Sequence, residues 1–369
     1  MQRNKLNMVQ AFVLILALGI FCTACISPYT PYEINYKASI PEVYWASFSP
    51  NNDDIVFSMG WGSLGGIFLM DRQGKIVKWL RRNTNKWWSS HPVFSPDGQW
   101  IAFVSTMADK HGDIFIMDKE GNNIRRLTST ADYDRGPVFS PDGKRIYFVR
   151  SRYFGSYSPV ARKGLHENDI FYVEVSSGRE FALTDNKLYL LDSLNILPSG
   201  DKLLLGTYNL VPSMGGVKGP RESQRGYNLW SINIAKPHQW TPVIPKLTVA
   251  APINYSASYD PVLSLNGKYL VFTCRVKDGY QIFIADMNTM ETHKIDTFIG
   301  MKSPVSISMK AKEILFVTIS RFPPFHVRQE SNLWIVNRDG TGLRNFSLDF
   351  SRVLAPKQPN NTSQTSATN

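Results

Sequence analysis

Residues 92–105 read PVFSPDGQWIAFVS, and residues 137–150 repeat that phrase as PVFSPDGKRIYFVR. In Ser-Pro-Asp-Gly, proline presets φ for the first central position of a type I turn, aspartate suits the second, and glycine takes the left-handed position that follows. Because an apolar stretch stands on each side of the turn, each phrase predicts a β-hairpin. The second apolar stretches, residues 101–104 and 146–149, are almost unbroken, which predicts strands that are covered on both faces.

A second signature follows each hairpin along the chain. Residues 113–121, DIFIMDKEG, combine an apolar third strand with a turn that ends in glycine, and residues 125–128 supply a fourth strand. One repeat is therefore a four-stranded antiparallel unit of about 45 residues, the size of a propeller blade. Six units can be recognised, at residues 43–80, 92–128, 137–184, 194–232, 261–286 and 304–340. The sequence predicts an all-β fold, a six-bladed β-propeller over residues 43–354.

These repeats resemble the TolB-type β-propeller family, whose WD40-like blades carry the same Phe-Ser-Pro-Asp-Gly and Ile-Phe-x-Met-Asp-x-x-Gly phrases. The resemblance implies the fold but no single function, because such blades serve as binding platforms, as gatekeeping domains of serine peptidases and as scaffolds of carbohydrate-active enzymes. TolB itself carries an amino-terminal α/β domain, for which residues 1–42 are too short, so its complete set of partners is not expected here. In the sixth unit Ala311 stands where the turn glycine belongs, which predicts a different or strained turn.

The amino terminus has the composition of an export signal. Two basic residues precede an apolar run over residues 11–21, and small residues then lead to Cys25. The run is shorter than a membrane span requires. The Thr-Ala-Cys ending resembles a bacterial lipobox, which implies a signal peptide over residues 1–24, lipidation of Cys25 and a lipidated tether over residues 25–42. It also implies anchoring on the periplasmic face of the outer membrane of a Gram-negative cell; an ordinary cleaved signal is the alternative.

The mature chain is expected to fold from core burial alone. Cys274 falls inside a predicted strand and, with Cys25 acylated, has no partner for a disulfide. Residues 355–369 are rich in Asn, Thr, Ser and Gln and lack apolar periodicity, so we expect a disordered polar tail.

No pattern of a catalytic or metal site is visible in the sequence. The six histidines have none of the short spacings that place metal ligands on one strand or helix. Ligands from several blades could still converge at the central channel. There is no Gly-x-Ser-x-Gly elbow and no α/β segment that could hold a hydrolase triad. We therefore predict a non-enzymatic protein without a cofactor or a metal.

Three connections between second and third strands are enlarged, at residues 151–168, 209–226 and 320–331. They lie on the face that also carries the connections between blades, and long loops on a rigid frame are typical of binding surfaces. Basic residues outnumber acidic ones in all three, and the chain carries a formal net charge of +11. We predict that the following residues contact a partner: Arg162, Lys163, Arg221, Arg225 and Arg328. The alternative is that these are tolerated insertions with solvated charges.

Aromatic residues near the expected channel mouth supply a second candidate site: Trp87, Trp88, Tyr133 and Tyr259. Carboxylates stand close to them in the sequence, among them Asp134 and Asp260. Aromatic rings beside polar groups suit sugar stacking or peptide docking, and converging carboxylates would suit a cation. The alternative is that these rings pack the joints between blades.

The leading hypothesis from the sequence is a lipid-anchored periplasmic propeller that binds an envelope protein or a peptidoglycan-associated partner through its basic loops. An anionic glycan or a lipid headgroup would also be attracted to such a face. Nucleic acid, the usual inference from a basic domain, is not expected for an exported lipoprotein. The competing hypothesis is a carbohydrate-binding or carbohydrate-active propeller, a lyase or hydrolase that acts on acidic glycans through the four aromatic residues.

Overall fold

A computed structural model describes residues 42–60, 65–155, 164–188, 191–208, 227–243, 246–247, 258–264, 266–276, 279–295, 301–308, 312–319, 333–346 and 348. In these segments every regular element is a β-strand, and the strands form six sheets whose neighbours are antiparallel, apart from one short parallel pair. No helix among these residues is long and apolar enough to cross a membrane. The predicted all-β, six-bladed propeller is confirmed.

Each blade is a meander of four strands that are hydrogen-bonded in chain order. Blade one contains β1 (Glu42–Phe48), β2 (Asp54–Gly60), β3 (Gly66–Asp71) and β4 (Ile76–Arg82). Blade two contains β5 (Ser89–Phe94), β6 (Trp100–Ser105), β7 (Asp113–Asp118) and β8 (Arg125–Arg126). Blade three contains β9 (Tyr133–Phe139), β10 (Arg145–Gly155), β11 (Gly164–Glu174) and β12 (Glu180–Ala182).

The other three blades follow the same plan. Blade four contains β13 (Leu191–Ile196), β14 (Lys202–Tyr208), β15 (Tyr227–Asn233) and β16 (Lys236–Val243). The short strand β17 (Lys246–Leu247) then pairs in parallel with the last strand of blade five, which contains β18 (Ser258–Leu263), β19 (Tyr269–Val276), β20 (Gly279–Asp286) and β21 (Glu291–Ile295). Blade six contains β22 (Met301–Ile307), β23 (Glu313–Ile319), β24 (Leu333–Asn337) and β25 (Arg344–Asn345).

The first strands of successive blades lie side by side and form the inner ring, with β1 also beside β22. Each of these six strands has an irregular register against the second strand of its blade. Such bulges bend a strand and redirect side chains. Because every strand reverses direction, the connections divide between two faces. We call the loop face the one that carries second-to-third and blade-to-blade connections, and the turn face the other.

The Ser-Pro-Asp-Gly turns have the predicted geometry. In blade two Gly98 has φ +70° and its N–H donates to the carbonyl of Ser95 at 2.9 Å. The Ser95 hydroxyl accepts from the Trp100 N–H at 2.9 Å and so ties the turn to the second strand. In blade one Asn52 takes the left-handed position with φ +65°, which asparagine tolerates better than most residues. Ala311, for which a different turn was predicted, lies outside the described residues.

The core lies between the blades. Ile101, Ala102 and Phe103 of β6 are fully buried, which confirms the prediction that the second strands are covered on both faces. Val56 and Ile67 of blade one pack in one apolar cluster with residues of blade two. Another cluster joins blade one to blade six and closes the ring. Each described blade is built from one continuous stretch of chain.

Blade three departs from the predicted loop pattern. The connection expected at residues 151–168 is mostly strand, because β10 and β11 stay paired from Arg145 opposite Glu174 to Gly155 opposite Gly164. The rings of Tyr153 and His166 face each other across this extension, with centroids 6.2 Å apart. Cross-strand aromatic pairs of this kind stabilise a hairpin. The result is an extended hairpin on the loop face.

Candidate functional site

The five basic residues predicted to contact a partner lie outside the described residues, and so does Cys25. They are Arg162, Lys163, Arg221, Arg225 and Arg328. Their contact role and the lipidation of Cys25 stay predictions. The two strands that lead into the first of these segments, β10 and β11, are described and are discussed below.

The four predicted aromatic residues do not share one environment. Trp88 is only 8% exposed, and its backbone N–H donates to the Thr106 hydroxyl at 3.0 Å, so it belongs to the interior. Tyr133 is half-buried between the edge of His111, at 5.1 Å, and the ring of Phe154, at 6.0 Å. Both residues pack against neighbouring side chains, and their predicted contact with a partner stays a prediction. Tyr259 lies on β18 opposite Thr273, and its side chain is not described. Trp87 differs from them because it is half-buried beside a guanidinium, as described below.

The joint between blades two and three contains a buried ion pair. Asp134 on β9 is 2% exposed and accepts two hydrogen bonds from Arg150 of β10, at 2.7 and 2.8 Å. Arg150 also donates to Glu180 of β12 at 2.5 Å, and its guanidinium lies 4.6 Å from the ring centroid of Phe171. Burial raises the pKa of Asp134 to about 6, against the opposing hydrogen bonds from Arg150. Both oxygens are satisfied, so this pair braces the blade.

A second carboxyl group in that joint has fewer hydrogen bonds than that of Asp134. Asp113 at the start of β7 is fully buried, and Arg126 Nη2 lies 2.8 Å from its Oδ2. Neither carboxylate oxygen makes a well-aligned hydrogen bond to another described residue. Burial and then the charge of Asp109 raise its pKa to about 7, although Arg126 opposes the change. Asp113 therefore titrates close to neutral pH.

Two charged or titratable side chains come from the bulges of the inner ring. His91 on β5 has φ +52°, and its ring centroid lies 5.1 Å from that of Trp45 on β1. Burial and then the charge of Arg135 lower the pKa of His91 to about 4, so the imidazole is neutral at pH 7. Arg135 on β9 donates to Asn168 Oδ1 at 2.9 Å and to the Leu191 carbonyl at 2.8 Å. This guanidinium ties blade three to blade four.

The loop face carries a guanidinium that has no acidic partner among the described residues. Arg81 lies near the end of β4, the outermost strand of blade one, and its Nη2 is 3.4 Å from Sδ of Met107 in blade two. Its guanidinium carbon lies 5.3 Å from the ring centroid of Trp87. The Nε of Arg81 is buried and has no hydrogen-bond partner among the described residues. Burial alone lowers the pKa of Arg81, since no carboxylate offsets it. We call these three residues the Arg81 groove.

In the described part of the chain no group of three or more His, Cys, Asp or Glu is placed to hold a metal ion. Asp113 begins the third strand of blade two, and Asp169 lies within the third strand of blade three. The Thr128 hydroxyl accepts from the N–H of Ile114, next to Asp113, and the Thr184 hydroxyl donates to Asp169. The repeated Asp-Ile-Phe and Leu-Thr phrases carried that signal in the sequence. No sequence signal marked Arg81 or Arg135, because each contacts a residue of the next blade that is distant in the sequence.

Comparisons with known proteins agree on the fold. No protein-family profile matches the chain, and no curated protein matches it. The chain is similar to TolB from Acinetobacter baumannii, with 16% identity, a TM-score of 0.53 and coverage of 82% of this chain and 62% of that one. It is similar to an oligogalacturonate lyase from Vibrio parahaemolyticus, with 9% identity, a TM-score of 0.54 and coverage of 83% and 78%. A puromycin-hydrolyzing peptidase from Mycobacterium tuberculosis is also similar, with 11% identity, a TM-score of 0.50 and coverage of 87% and 55%.

These likenesses confirm the TolB-type propeller fold that the repeated phrases predicted. The chain spans 62% of the length of the TolB chain that it matches. At such low identities the likeness concerns the fold alone. Because a lyase and a peptidase share that fold with TolB, the fold does not decide between binding and catalysis.

Proposed function

We propose that this chain is a non-enzymatic, lipid-anchored propeller that binds an envelope protein through its loop face, on the periplasmic side of the outer membrane. The observation that carries the proposal is the extended hairpin of blade three. Its strands β10 and β11 have 11 residues each, whereas second and third strands in the other blades have 5 to 8. Long, ordered extensions beside a ring of loops suit partner recognition.

The hairpin is held firmly at its base. Arg152 on β10 donates to the buried carboxylate of Asp169 on β11 at 2.6 Å. Arg135 donates to Asn168 on β11, which joins the hairpin to the inner ring. Tyr153 is 38% exposed on this extension, and tyrosine is enriched in protein interfaces. A pre-ordered support lowers the conformational entropy that the loop with Arg162 and Lys163 loses on binding.

Charge reversal on the loop face tests this proposal. We expect the triple variant Arg162→Glu, Arg221→Glu and Arg328→Glu to lose partner capture, because an acidic partner surface would then be repelled. The full chain would be used to capture proteins from envelope extract at low and moderate salt, with mass spectrometry as the readout. The matched control, Lys202→Glu, Lys236→Glu and Lys312→Glu, changes three exposed lysines of the turn face. Equal capture by both variants would refute the contact assignment.

The anchor has a separate test. If Cys25 carries lipid, Cys25→Ser moves the chain from the membrane fraction to the soluble periplasmic fraction and abolishes labelling by a radioactive fatty acid. Cys22→Ser, three residues earlier in the same segment, is the control and should keep both properties. Membrane association that survives Cys25→Ser would count against lipid anchoring.

The competing candidate is an acidic-glycan binder or lyase. The observation that favours it is the contact between Trp87 and Arg81, because an aromatic ring beside a guanidinium also suits a carboxylated sugar. Incubation of the full chain with polygalacturonate, read by ultraviolet absorption of unsaturated products and by isothermal titration, tests this candidate. Turnover or binding that Trp87→Ala abolishes would favour it over the protein-binding function.

A further inference from the structure

Arg81 stands in an unfavourable environment for a cation. Its side chain is half-buried, its Nε is enclosed, and the one acceptor that it contacts among the described residues is a thioether sulfur. Sulfur in methionine is a weak acceptor, so it compensates little for the lost hydration. Partial burial of a charge costs free energy unless a counter-charge pairs with it, although less than full burial does. The fold therefore holds a partly desolvated guanidinium that an external anion would stabilise.

A carboxylate in the same connection as Met107 already has partners. Asp109, two residues after Met107, lies 2.5 Å from Nη2 of Arg126 and 3.7 Å from Nδ1 of His111. The adjacent cation Arg82 does not neutralise Arg81 either, since it lies over the ring of Trp79 at 4.2 Å and adds positive charge. The counter-charge for Arg81 is thus not supplied by these neighbours.

We propose that the Arg81 groove receives an aspartate or glutamate side chain of a protein partner. The inference rests on the proposed function, because the groove lies on the same loop face as the extended hairpin. Trp87 belongs to the connection between blades one and two, and Met107 belongs to the second-to-third connection of blade two. Arg, Trp and Met are enriched at the buried centres of protein interfaces. The Trp87 ring packs beside the guanidinium of Arg81 and restricts its orientation. The planar guanidinium can then donate two parallel hydrogen bonds to a carboxylate.

A peptide titration tests the groove directly. The full chain, labelled with carbon-13 at its methionine methyl groups and kept in mild detergent, is titrated with a short peptide of alternating glutamate and alanine. The Met107 signal, assigned through Met107→Leu, should shift and saturate, whereas the matching glutamine–alanine peptide should leave it unchanged. Arg81→Gln should weaken the apparent affinity by about tenfold or more. Arg82→Gln, the exposed neighbour on the same strand, should change it by less than about twofold.

The stability of a second variant separates a binding role from a structural one. Arg81→Met removes an unpaired charge and keeps the apolar volume, so the thermal midpoint should rise or stay constant while peptide binding is lost. A midpoint lowered by several degrees would mean that Arg81 supports the fold, and would overturn the proposal. Equal peptide affinity in Arg81→Gln and wild type would overturn it as well. So would a Met107 shift with trigalacturonate but not with the glutamate peptide, because the groove would then recognise a glycan.

The failure of this inference can be told apart from failure of the proposed function. If the glutamate peptide does not act at Arg81 while envelope capture still depends on the loop-face arginines, the groove assignment is wrong and the binding platform stands. If capture shows no dependence on those arginines while the peptide binds at Arg81, the groove stands and the assigned contacts of the platform are wrong.

Discussion

The carboxyl group of Asp113 is fully buried. It lies close to the carboxylates of Asp109 and Asp134 and to the guanidinium of Arg126. The His111 ring lies nearby, in contact with Asp109. Burial, followed by the charge of Asp109, raises its pKa from 3.8 to about 7. The folded chain therefore holds this proton more tightly than the unfolded chain does. The resulting stabilisation is complete below about pH 3.8 and is lost as the pH rises through about 7.

We predict that Asp113→Asn removes this contribution. Relative to the variant, the wild-type chain should lose thermal stability as the pH rises from about 5 to about 8. Thermal unfolding by circular dichroism at each pH measures the difference, and Asp53→Asn, at an exposed carboxyl group, is the control. Wild type and variant must be compared at the same pH, because His91 also makes the stability depend on pH. Its pKa is lowered to about 4, so the fold loses stability as the pH falls below about 6.5. Parallel profiles for wild type and Asp113→Asn would show that Asp113 does not titrate in this range.

At the level of the element, the repeated turn joins neighbouring blades as well as two strands. A β-carbon at Gly98 would lie 3.5 Å from Cδ of Pro50 in the preceding blade. A β-carbon at Gly267 would lie only 2.9 Å from Cδ of Pro198. The proline of each turn thus has two effects, since it presets its own backbone and packs beside the glycine of the next turn.

Because turns of neighbouring blades contact each other, the same glycine-to-alanine substitution should lower the stability by different amounts at different turns. Gly267 and Gly178 both have left-handed backbones, with φ of +68° and +71°. Alanine costs about 1–2 kcal/mol at such angles. A β-carbon at Gly178 meets no atom within 4 Å, whereas one at Gly267 collides with Pro198. Gly267→Ala should therefore lower the thermal midpoint more than Gly178→Ala does. Equal midpoints would show that the contact between turns contributes nothing to stability.

The sequence was sufficient for the fold because turn chemistry and apolar runs are local properties. The residues just before each repeated phrase were harder to place. The first strands of blades two and three begin at Ser89 and Tyr133, three to four residues before the phrase, so residues expected in a connection belong to a strand. Tyr133 consequently belongs to a strand and packs, although it was predicted in a connection. The Arg81 groove was not predictable, because Arg81 and Met107 meet only when blades one and two pack together.

At the level of the whole molecule, the ring closes between blade one and blade six. No described strand is shared by these two blades, so side-chain and backbone contacts join them. The N–H of Phe48 in blade one donates to the Ser306 hydroxyl in blade six at 3.2 Å. Arg344 of blade six donates to the Arg72 carbonyl at 2.9 Å, and Arg72 also pairs with Glu313. Phe346, 1% exposed, packs over the turn at Gly74 and belongs to the apolar cluster of both blades. Closure rests on packing, with a few hydrogen bonds at its rim.

This closure predicts a local opening when Phe346 is truncated. Phe346→Ala should cost about 3–5 kcal/mol of unfolding free energy, as should Phe272→Ala, a buried phenylalanine of blade five. The two variants should differ in hydrogen exchange. Phe346→Ala should speed exchange selectively in β1 to β3 and in β23 and β24, since these strands lose the packing that joins the two ends of the ring. Phe272→Ala should spread its effect more evenly, because the chain itself connects the blades on either side. Identical exchange patterns would mean that the closing joint is as strong as the others and that another contact holds the ring.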